Sequence, residues 1–185
     1  MKESISTKEL IRDTLQKLLE KKDYAEISMK EIAKSANVGR RTLYRYFGTK
    51  DDIVRFMADS VMDEFADALL LQGAQGLKET TNIYFSFWEK NAEVFRCLDQ
   101  SHLLHYIEDH LSEHIMQVAF KTKMKDIDME PEQILSEMSK ERLYDFYFTI
   151  AGYWELTKRW MREENRSTPA EISSLVIKIL TERED

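Results

Sequence analysis

Apolar residues recur every three or four positions through most of the chain, the spacing that places them on one face of a helix. The capping box Ser6–Glu9, followed by apolar residues from Ile11 to Leu19, predicts a first helix over residues 7–22. The same spacing, together with capping residues and prolines in first turns, predicts further helices. Their approximate bounds are 28–37, 40–47, 49–71, 77–90, 92–100, 102–122, 132–163 and 169–182.

The composition agrees with an all-α fold of about nine helices. The chain holds only five Gly and two Pro, the residues that punctuate β-rich and loop-rich folds. Its long segments are rich in Leu, Lys, Glu and Met, which favour helices. The short helices come first, so we expect a small domain at 1–50 and a larger helical domain at 51–185.

Charge is distributed unevenly between these two predicted domains. The whole chain has a net charge of −7, which on average disfavours nucleic acid. Residues 1–50, however, hold 12 Lys and Arg against 7 Asp and Glu, whereas residues 51–185 hold 15 against 27. The balances are therefore +5 and −12, and a basic head on an acidic body would bind phosphate at one end only.

The expected compartment is the cytoplasm, without membrane attachment. The N-terminal residues 1–10 are polar and lack the apolar run of a signal peptide. The longest apolar runs, such as 68–71, fall far short of the roughly 20 residues that a membrane helix needs. A single cysteine, Cys97, excludes an intramolecular disulfide and a cysteine-rich zinc site.

Two short predicted helices, 28–37 and 40–47, are joined by Asn37-Val38-Gly39 in the manner of a helix-turn-helix. Leu43 and Phe47 stand four residues apart and are predicted to point inward. At 100° per residue, Arg41 and Arg45 then face away from them, flanked by Thr42 and Tyr44. Such a face suits a DNA major groove, where arginine binds guanine bidentately. The charge pattern alone is more typical of a solvated, charged helix end, which is what most basic clusters are.

The longer sequence around these two helices favours DNA binding. Residues 27–50 read ISMKEIAKSANVGRRTLYRYFGTK and resemble the DNA-binding domain of the tetracycline-repressor (TetR) family closely. The string Thr42–Phe47, followed by Lys50 and an acidic pair, is among the most specific in that family. The resemblance covers residues 7–55.

The resemblance implies DNA contacts for nine residues. Contacts to bases are implied for Lys30, Arg40 and Arg41, of which the two arginines begin the recognition helix. Contacts to phosphates or groove edges are implied for Ser28, Thr42, Arg45, Tyr46 and Lys50. Tyr44 matches the aromatic residue that packs against the DNA backbone or a thymine methyl. One departure is Gly39, which replaces the more usual Ser, so that a common side-chain contact or cap is missing there.

The C-terminal segment resembles one subgroup of the same family more loosely. An aromatic-rich helix containing Tyr144, Gly152 and Trp160 is followed by Thr168-Pro169-Ala170-Glu171 and a last amphipathic helix. Because the last two helices pair between subunits in this family, the resemblance implies a homodimer. Candidate interface residues are Tyr147, Trp154, Ile172, Leu175, Val176 and Leu180. Some relatives near this subgroup resemble an activator of dihydroxyacetone kinase expression, so activation stays open.

The family resemblance also implies a small-molecule effector site among the helices between residues 77 and 122. Residues 51–185 hold sixteen of the twenty aromatic residues, and most of these are expected to be plain core. Candidates for the effector pocket offer an apolar lining with a few polar groups. They are Trp88, Phe95, His102, His105, Tyr106 and Tyr147.

We expect neither a metal, nor a cofactor, nor an enzyme. His110 and His114 have a spacing that can bind zinc, but the residue after His110 is Leu111, where a metalloprotease needs Glu. A surface pair on a charged helix is the simpler interpretation. The sequence contains no Ser-His-Asp order, phosphate loop or dinucleotide fingerprint.

The leading hypothesis is a dimeric repressor that is released from a palindromic operator in double-stranded DNA by a small-molecule effector. The alternative is a co-regulator or activator on the same fold that acts through a protein partner. The intact set of Arg40, Arg41, Tyr44, Tyr46 and Lys50 argues against loss of DNA binding.

Overall fold

The computed structural model describes residues 6–73, 76–109, 111, 115 and 138–182. These residues form helices and turns and contain no strand, which confirms the all-α prediction. The helices are α1 (Thr7–Leu19), α2 (Met29–Ser35), α3 (Arg40–Tyr46), α4 (Lys50–Leu71), α5 (Leu77–Lys90), α6 (Ala92–Gln100), α7 (Lys140–Arg162) and α8 (Pro169–Thr181). Tyr24–Glu26 form a 3₁₀ turn, and residues 105–109 are helical. His110 and His114 lie outside the described residues.

Capping signals set the start of most helices. At α1, the Ser6 hydroxyl accepts from the Glu9 amide, and the Glu9 carboxylate accepts from the Ser6 amide, which completes the predicted capping box. At α8, Thr168 and Glu171 form the same box with Pro169 in the first turn. At α4, the Thr49 amide donates to the Asp52 carboxylate, and the Asp52 amide donates to the Thr49 hydroxyl.

Helix α2 ends in a Schellman motif built on Asn37. The Asn37 backbone has φ 52°, in the left-handed region that Asn tolerates. The Val38 amide donates to the Ala33 carbonyl at 3.0 Å, and the Asn37 amide donates to the Lys34 carbonyl at 3.2 Å. This motif reverses the chain within three residues and places α3 directly after α2.

Three predicted helix bounds are wrong. Helix α1 ends at Leu19 rather than at residue 22, because the charged residues 20–23 add nothing to its buried stripe. The helix predicted from residue 102 begins later, since His102 has φ 58°. The helix predicted over 132–163 does not run through Ser139, whose extended backbone and hydroxyl cap α7.

The chain divides into two compact units. The first contains the residues up to Val61 together with Glu93–Ile107, and the second contains Met62–Ala92 and the residues from Glu108 onward. In the first unit, the core consists of apolar residues from α1 to α4 and from α6, among them Ile11, Leu15, Leu43 and Leu98. The functional boundary expected at residue 50 remains a prediction.

In the second unit, α8 packs against α5 around aromatic residues of α5 and α7. Trp88 and Trp154 lie with ring centroids 5.4 Å apart, and each is at most 2% exposed. Buried hydroxyls are paired across these helices: Thr157 with Tyr84, and Ser173 with the Thr81 carbonyl. Within the described part of the chain, no helix has the length and hydropathy to cross a membrane.

Candidate functional site

Helix α3 presents one buried and one exposed face. Leu43 is fully buried and Phe47, which ends the helix, is 4% exposed. Tyr44 is 55% exposed, although it is a large aromatic residue next to Leu43. The exposed positions of α3 are Arg40, Arg41, Tyr44 and Arg45, and Thr42 is half-buried. A large exposed aromatic among three arginines forms a surface that suits a polyanion.

Two of these candidate side chains support each other. The Arg45 guanidinium donates to the Tyr46 hydroxyl at 3.1 Å and lies 4.8 Å from the centre of the Tyr46 ring. This contact restricts the rotamers of both side chains. A restricted arginine loses less conformational entropy on binding phosphate.

Helix α2 contributes Ser28 and Lys30. The Ser28 hydroxyl accepts from the Glu31 amide at 3.2 Å, and its own proton stays available to an acceptor outside the helix. Lys30 is the second residue of α2 and is exposed. Lys22 forms an ion pair with Glu31 on the same helix, which neutralises the acidic residue closest to these two positions.

Lys50 is held by the protein itself. Its ammonium donates to the Tyr24 carbonyl at 2.6 Å and to the Ile27 carbonyl at 3.1 Å, and lies 4.1 Å from the centre of the Tyr24 ring. Two of its three N–H groups are therefore used inside the first unit. The structure therefore gives Lys50 a positioning role within the first unit, which sequence reasoning missed.

A second bond joins the same two segments. The Tyr24 hydroxyl donates to the Asp51 carboxylate in the first turn of α4. Burial, followed by the hydrogen bond to Asp51, raises the pKa of Tyr24 above its usual range. Burial and then the charge of Asp51 also raise the pKa of Tyr106. The start of α4 is thus fixed to the 3₁₀ turn that precedes α2.

Gly39, the departure from the family pattern, occupies the cap position of α3. No side-chain hydrogen bond caps this helix, as the sequence implied. The Gly39 backbone has φ −65°, which any residue can adopt. An added Cβ would meet only Thr42 Oγ1, at 3.8 Å. A serine would therefore fit at position 39, and the backbone conformation does not require glycine there.

The second unit contains a cavity of about 480 Å³. It is bounded by α4, α5 and α7 together with Leu111, Ile115 and Met138. The lining residues from the three helices are Phe65, Leu69, Leu77, Thr80, Tyr84, Arg142, Asp145, Phe146, Thr149, Ile150 and Tyr153. The volume and the apolar lining are those of a small-molecule site.

The six residues that the sequence suggested for an effector pocket do not line this cavity. Trp88 is buried in the aromatic core of the second unit, and Tyr147 is 45% exposed on α7. The other four belong to the first unit: Phe95 is buried, Tyr106 is half-buried, and His102 and His105 are exposed. The α7 residues that line the cavity recur every three or four positions, and this pattern could have been found in the sequence.

The six dimer candidates separate by burial. Trp154, Ile172 and Val176 are at most 8% exposed, so their own chain already covers them. Leu180 is half-buried, whereas Tyr147 and Leu175 are 45% and 53% exposed. Other large apolar side chains on α7 and α8 are also exposed: Tyr144 at 68%, Phe148 at 63% and Ile179 at 38%. A groove of about 290 Å³ runs between the two helices, bounded by residues such as Phe148, Gly152, Leu156 and Ile179.

Two family models match the chain. Residues 11–56 match bacterial regulatory proteins of the tetR family, and residues 75–182 match a transcriptional regulator C-terminal region. The second match alone covers more than half of the 185 residues. The chain belongs to the TetR family of bacterial regulatory proteins, as its sequence predicted.

Individual relatives are distant. The chain is 21% identical over 181 residues to the uncharacterized HTH-type transcriptional regulator YxbF of Bacillus subtilis, covering 94% of this chain and 44% of YxbF. It is 20% identical over 136 residues to the dhaKLM operon transcriptional activator DhaS of Lactococcus lactis, covering 72% of this chain and 66% of DhaS. The chain thus spans less than two thirds of the length of either relative.

Solved structures show the same fold. The fatty acid degradation regulator FadR from Bacillus halodurans superposes with a TM-score of 0.64 at 17% identity, covering 97% of this chain and 96% of FadR. At this level of identity the likeness extends to the fold alone.

Proposed function

We propose that this protein is a homodimeric transcriptional regulator that represses transcription. It binds a palindromic operator through α3, and this operator lies in bacterial DNA, which is in the cytoplasm. The exposed face of α3 carries this proposal. It offers three arginines and a tyrosine to solvent, while Leu43 anchors the opposite face in the core. Helix α3 is two turns long, which suits insertion into a major groove about 12 Å wide.

The nine candidate residues divide by chemistry. Arg40 and Arg41 begin the helix and bring guanidinium groups to base edges, with Lys30 beside them on α2. The hydroxyl groups of the serine, threonine and tyrosine candidates, together with Arg45, suit contacts to phosphates. Such contacts set affinity and register but carry no sequence information. Lys50 uses two N–H groups inside the DNA-binding head and offers the remaining one to the DNA backbone.

A dimer follows from the number of bases that one head can read. Two-fold dimers place two recognition helices about one DNA turn apart, roughly 34–36 Å. The exposed residues Tyr144, Phe148, Leu175 and Ile179 of α7 and α8 supply apolar surface for the second subunit. Large exposed apolar patches of this kind usually mark protein interfaces.

The effector of this proposal binds in the cavity bounded by α4, α5 and α7. A ligand shifts operator occupancy only to the extent that it prefers the conformation that does not bind DNA. A preference of a few kcal/mol is enough to change occupancy substantially. Helix α4 is the physical connection, because it begins beside Tyr24 in the DNA-binding head and contributes Phe65 and Leu69 to the cavity.

Activation is the second candidate function. The relative DhaS is named a transcriptional activator, and the likeness to DhaS extends over 72% of this chain. Both functions use the same DNA-binding face, so they differ in what the bound protein does to polymerase. A reporter gene behind the operator separates them: deletion of the regulator raises expression under repression and lowers it under activation.

A gel shift with DNA from upstream of the protein's own gene tests DNA binding. Phosphate contacts release counterions, so the slope of log affinity against log salt should be about −0.9 per contact and reach several units for a dimer. Arg41→Ala should weaken the shift. The matched control is Arg159→Ala, which removes an arginine that is 72% exposed on α7. A salt-independent shift, or equal loss in both variants, would contradict the proposal and favour the co-regulator alternative.

A further inference from the structure

The cavity in the second unit is polar at one end and apolar at the other. Six residues of α7 line it, at positions 142, 145, 146, 149, 150 and 153, which form one stripe of the helix. Along this stripe, Arg142 and Asp145 are exposed, Thr149 is half-buried and Ile150 is 7% exposed. A ligand in this cavity meets charged groups at the first turns of α7 and hydrocarbon further along.

The apolar end keeps few polar groups for a ligand. The Thr81 hydroxyl donates to the Leu77 carbonyl at 2.6 Å, so it accepts from the Tyr153 hydroxyl, 2.5 Å away. The Tyr84 hydroxyl is bonded to Thr157 at 2.9 Å. The hydroxyl groups of both tyrosines therefore already have protein partners. This end selects for hydrocarbon, because a polar group there would lose its water without gaining a partner.

The polar end carries one charge of each sign. Among the described residues that line the cavity, Arg142 and Asp145 are the only charged ones. They lie three residues apart on one helix face, so any head group near one of them is also near the other. An anionic head group would be attracted by Arg142 and repelled by Asp145, and a cationic one the reverse. A neutral head group that both accepts and donates hydrogen bonds satisfies both side chains.

We infer that the ligand of this cavity is an uncharged amphiphile, with a hydrocarbon body and a head group, such as an amide, that donates and accepts hydrogen bonds. The head group accepts from the Arg142 guanidinium and donates to the Asp145 carboxylate. Residues 51–185 carry a balance of −12, which disfavours an anionic ligand in particular. This inference rests on the proposed function, because it names the chemistry of the effector.

Three probes with the same eight-carbon body and different head groups test the inference. Octanamide is neutral, octanoate is anionic and octylammonium is cationic at pH 7.5. Calorimetric titration of the full chain should give a dissociation constant for octanamide at least tenfold lower than for either charged probe. Tighter binding of octanoate or of octylammonium would overturn the inference.

Two charge-removing variants should change the preference in opposite directions. Asp145→Asn leaves Arg142 as the only charged side chain among the described lining residues and should make octanoate the preferred probe. Arg142→Gln leaves Asp145 and should make octylammonium the preferred probe. The matched controls are Glu141→Gln and Lys140→Gln, which change exposed charges of the same helix that do not line the cavity. Equal changes in the controls, or no change in the variants, would overturn the assignment of these two residues.

The same samples separate this inference from the proposed function. If octanamide and the charged probes all fail to bind while the gel shift persists, the inference about the ligand is overturned and the DNA-binding proposal stands. If octanamide binds with the expected preference but the chain shifts no DNA, the proposed function fails and the chemistry of the cavity stands.

Discussion

The ammonium of Lys50 donates to the backbone carbonyl of Tyr24 at 2.6 Å. This bond joins the first residue of α4 to the turn that precedes the helix-turn-helix, 26 residues earlier in the chain. It gives a residue that the family resemblance assigns to phosphate binding a second role inside the protein. The two roles predict different consequences for its removal.

Lys50→Ala should lower both stability and DNA affinity. It leaves the Tyr24 and Ile27 carbonyls without their donor, which should cost about 1–2 kcal/mol of the free energy of unfolding in urea. Affinity for operator and random DNA should fall together, because the head loses its fixed position. The control is Lys178→Ala, whose side chain is 68% exposed. Unchanged stability with reduced affinity would mean that Lys50 serves as a phosphate contact alone.

Arg41→Ala and Tyr44→Ala should differ in how they affect sequence preference. Removal of a base-reading arginine should relax specificity at one base pair and cost about 1–3 kcal/mol. Removal of Tyr44, which we assign to the DNA backbone, should weaken binding to all sequences in equal proportion. Competition gel shifts with single-base operator variants measure both. If Arg41→Ala kept every ratio between variants, its base-reading role would be wrong.

Gly39→Ser should stabilise α3 relative to Gly39→Ala. Both variants add a Cβ where only Thr42 Oγ1 lies within 4 Å, at 3.8 Å. Only serine supplies a hydroxyl that accepts from an amide in the first turn, which should make it more stable than alanine by about 1 kcal/mol. Thermal unfolding of the two variants gives this difference directly. Equal melting temperatures would show that a cap adds nothing at this position.

Phe148→Glu and Val176→Glu should have different effects on assembly. Phe148 is 63% exposed, so a glutamate there leaves the subunit core intact and should give a folded monomer with reduced operator affinity. Val176 is 3% exposed within its own chain, so Val176→Glu should destabilise the subunit itself by several kcal/mol, since the charge is buried unpaired. Sedimentation and circular dichroism distinguish these results. A stable dimer of Phe148→Glu at low micromolar concentration would place the interface elsewhere.

Stability should fall as pH rises above 9. Burial, and to a smaller extent the charge of Glu20, raises the pKa of Cys97 from 9.0 to about 11. The folded state therefore holds this proton more tightly than the unfolded state, and the resulting stabilisation is complete below pH 9 and lost as pH rises through 11. Cys97→Ala should flatten the slope of unfolding free energy between pH 9 and 10. An identical slope in the variant would mean that the thiol titrates normally.

Local signals in the sequence determined most of the helices and several of their ends. The capping boxes at Ser6 and Thr168 and the Asn37 turn act within a few residues, so their geometry follows from residues that are adjacent in the chain. The bounds of α5 and α6 also matched the prediction. The helix predicted over 132–163 failed because a serine inside a periodic segment gives no sign of whether it caps or continues.

Contacts between distant segments were decided only by the tertiary structure. Two aromatic residues of α7 have different environments: Trp154 is buried against Trp88 of α5, whereas Tyr147 is exposed. Packing between helices likewise buries Val176 in the core and brings Arg142 and Asp145 to the lining of the cavity. The sequence by itself determined the family, the helices and the face of α3. Which side chains face solvent, core or cavity in the larger unit depends on the packing of helices far apart in the chain, and helical periodicity specifies a face without specifying what covers it.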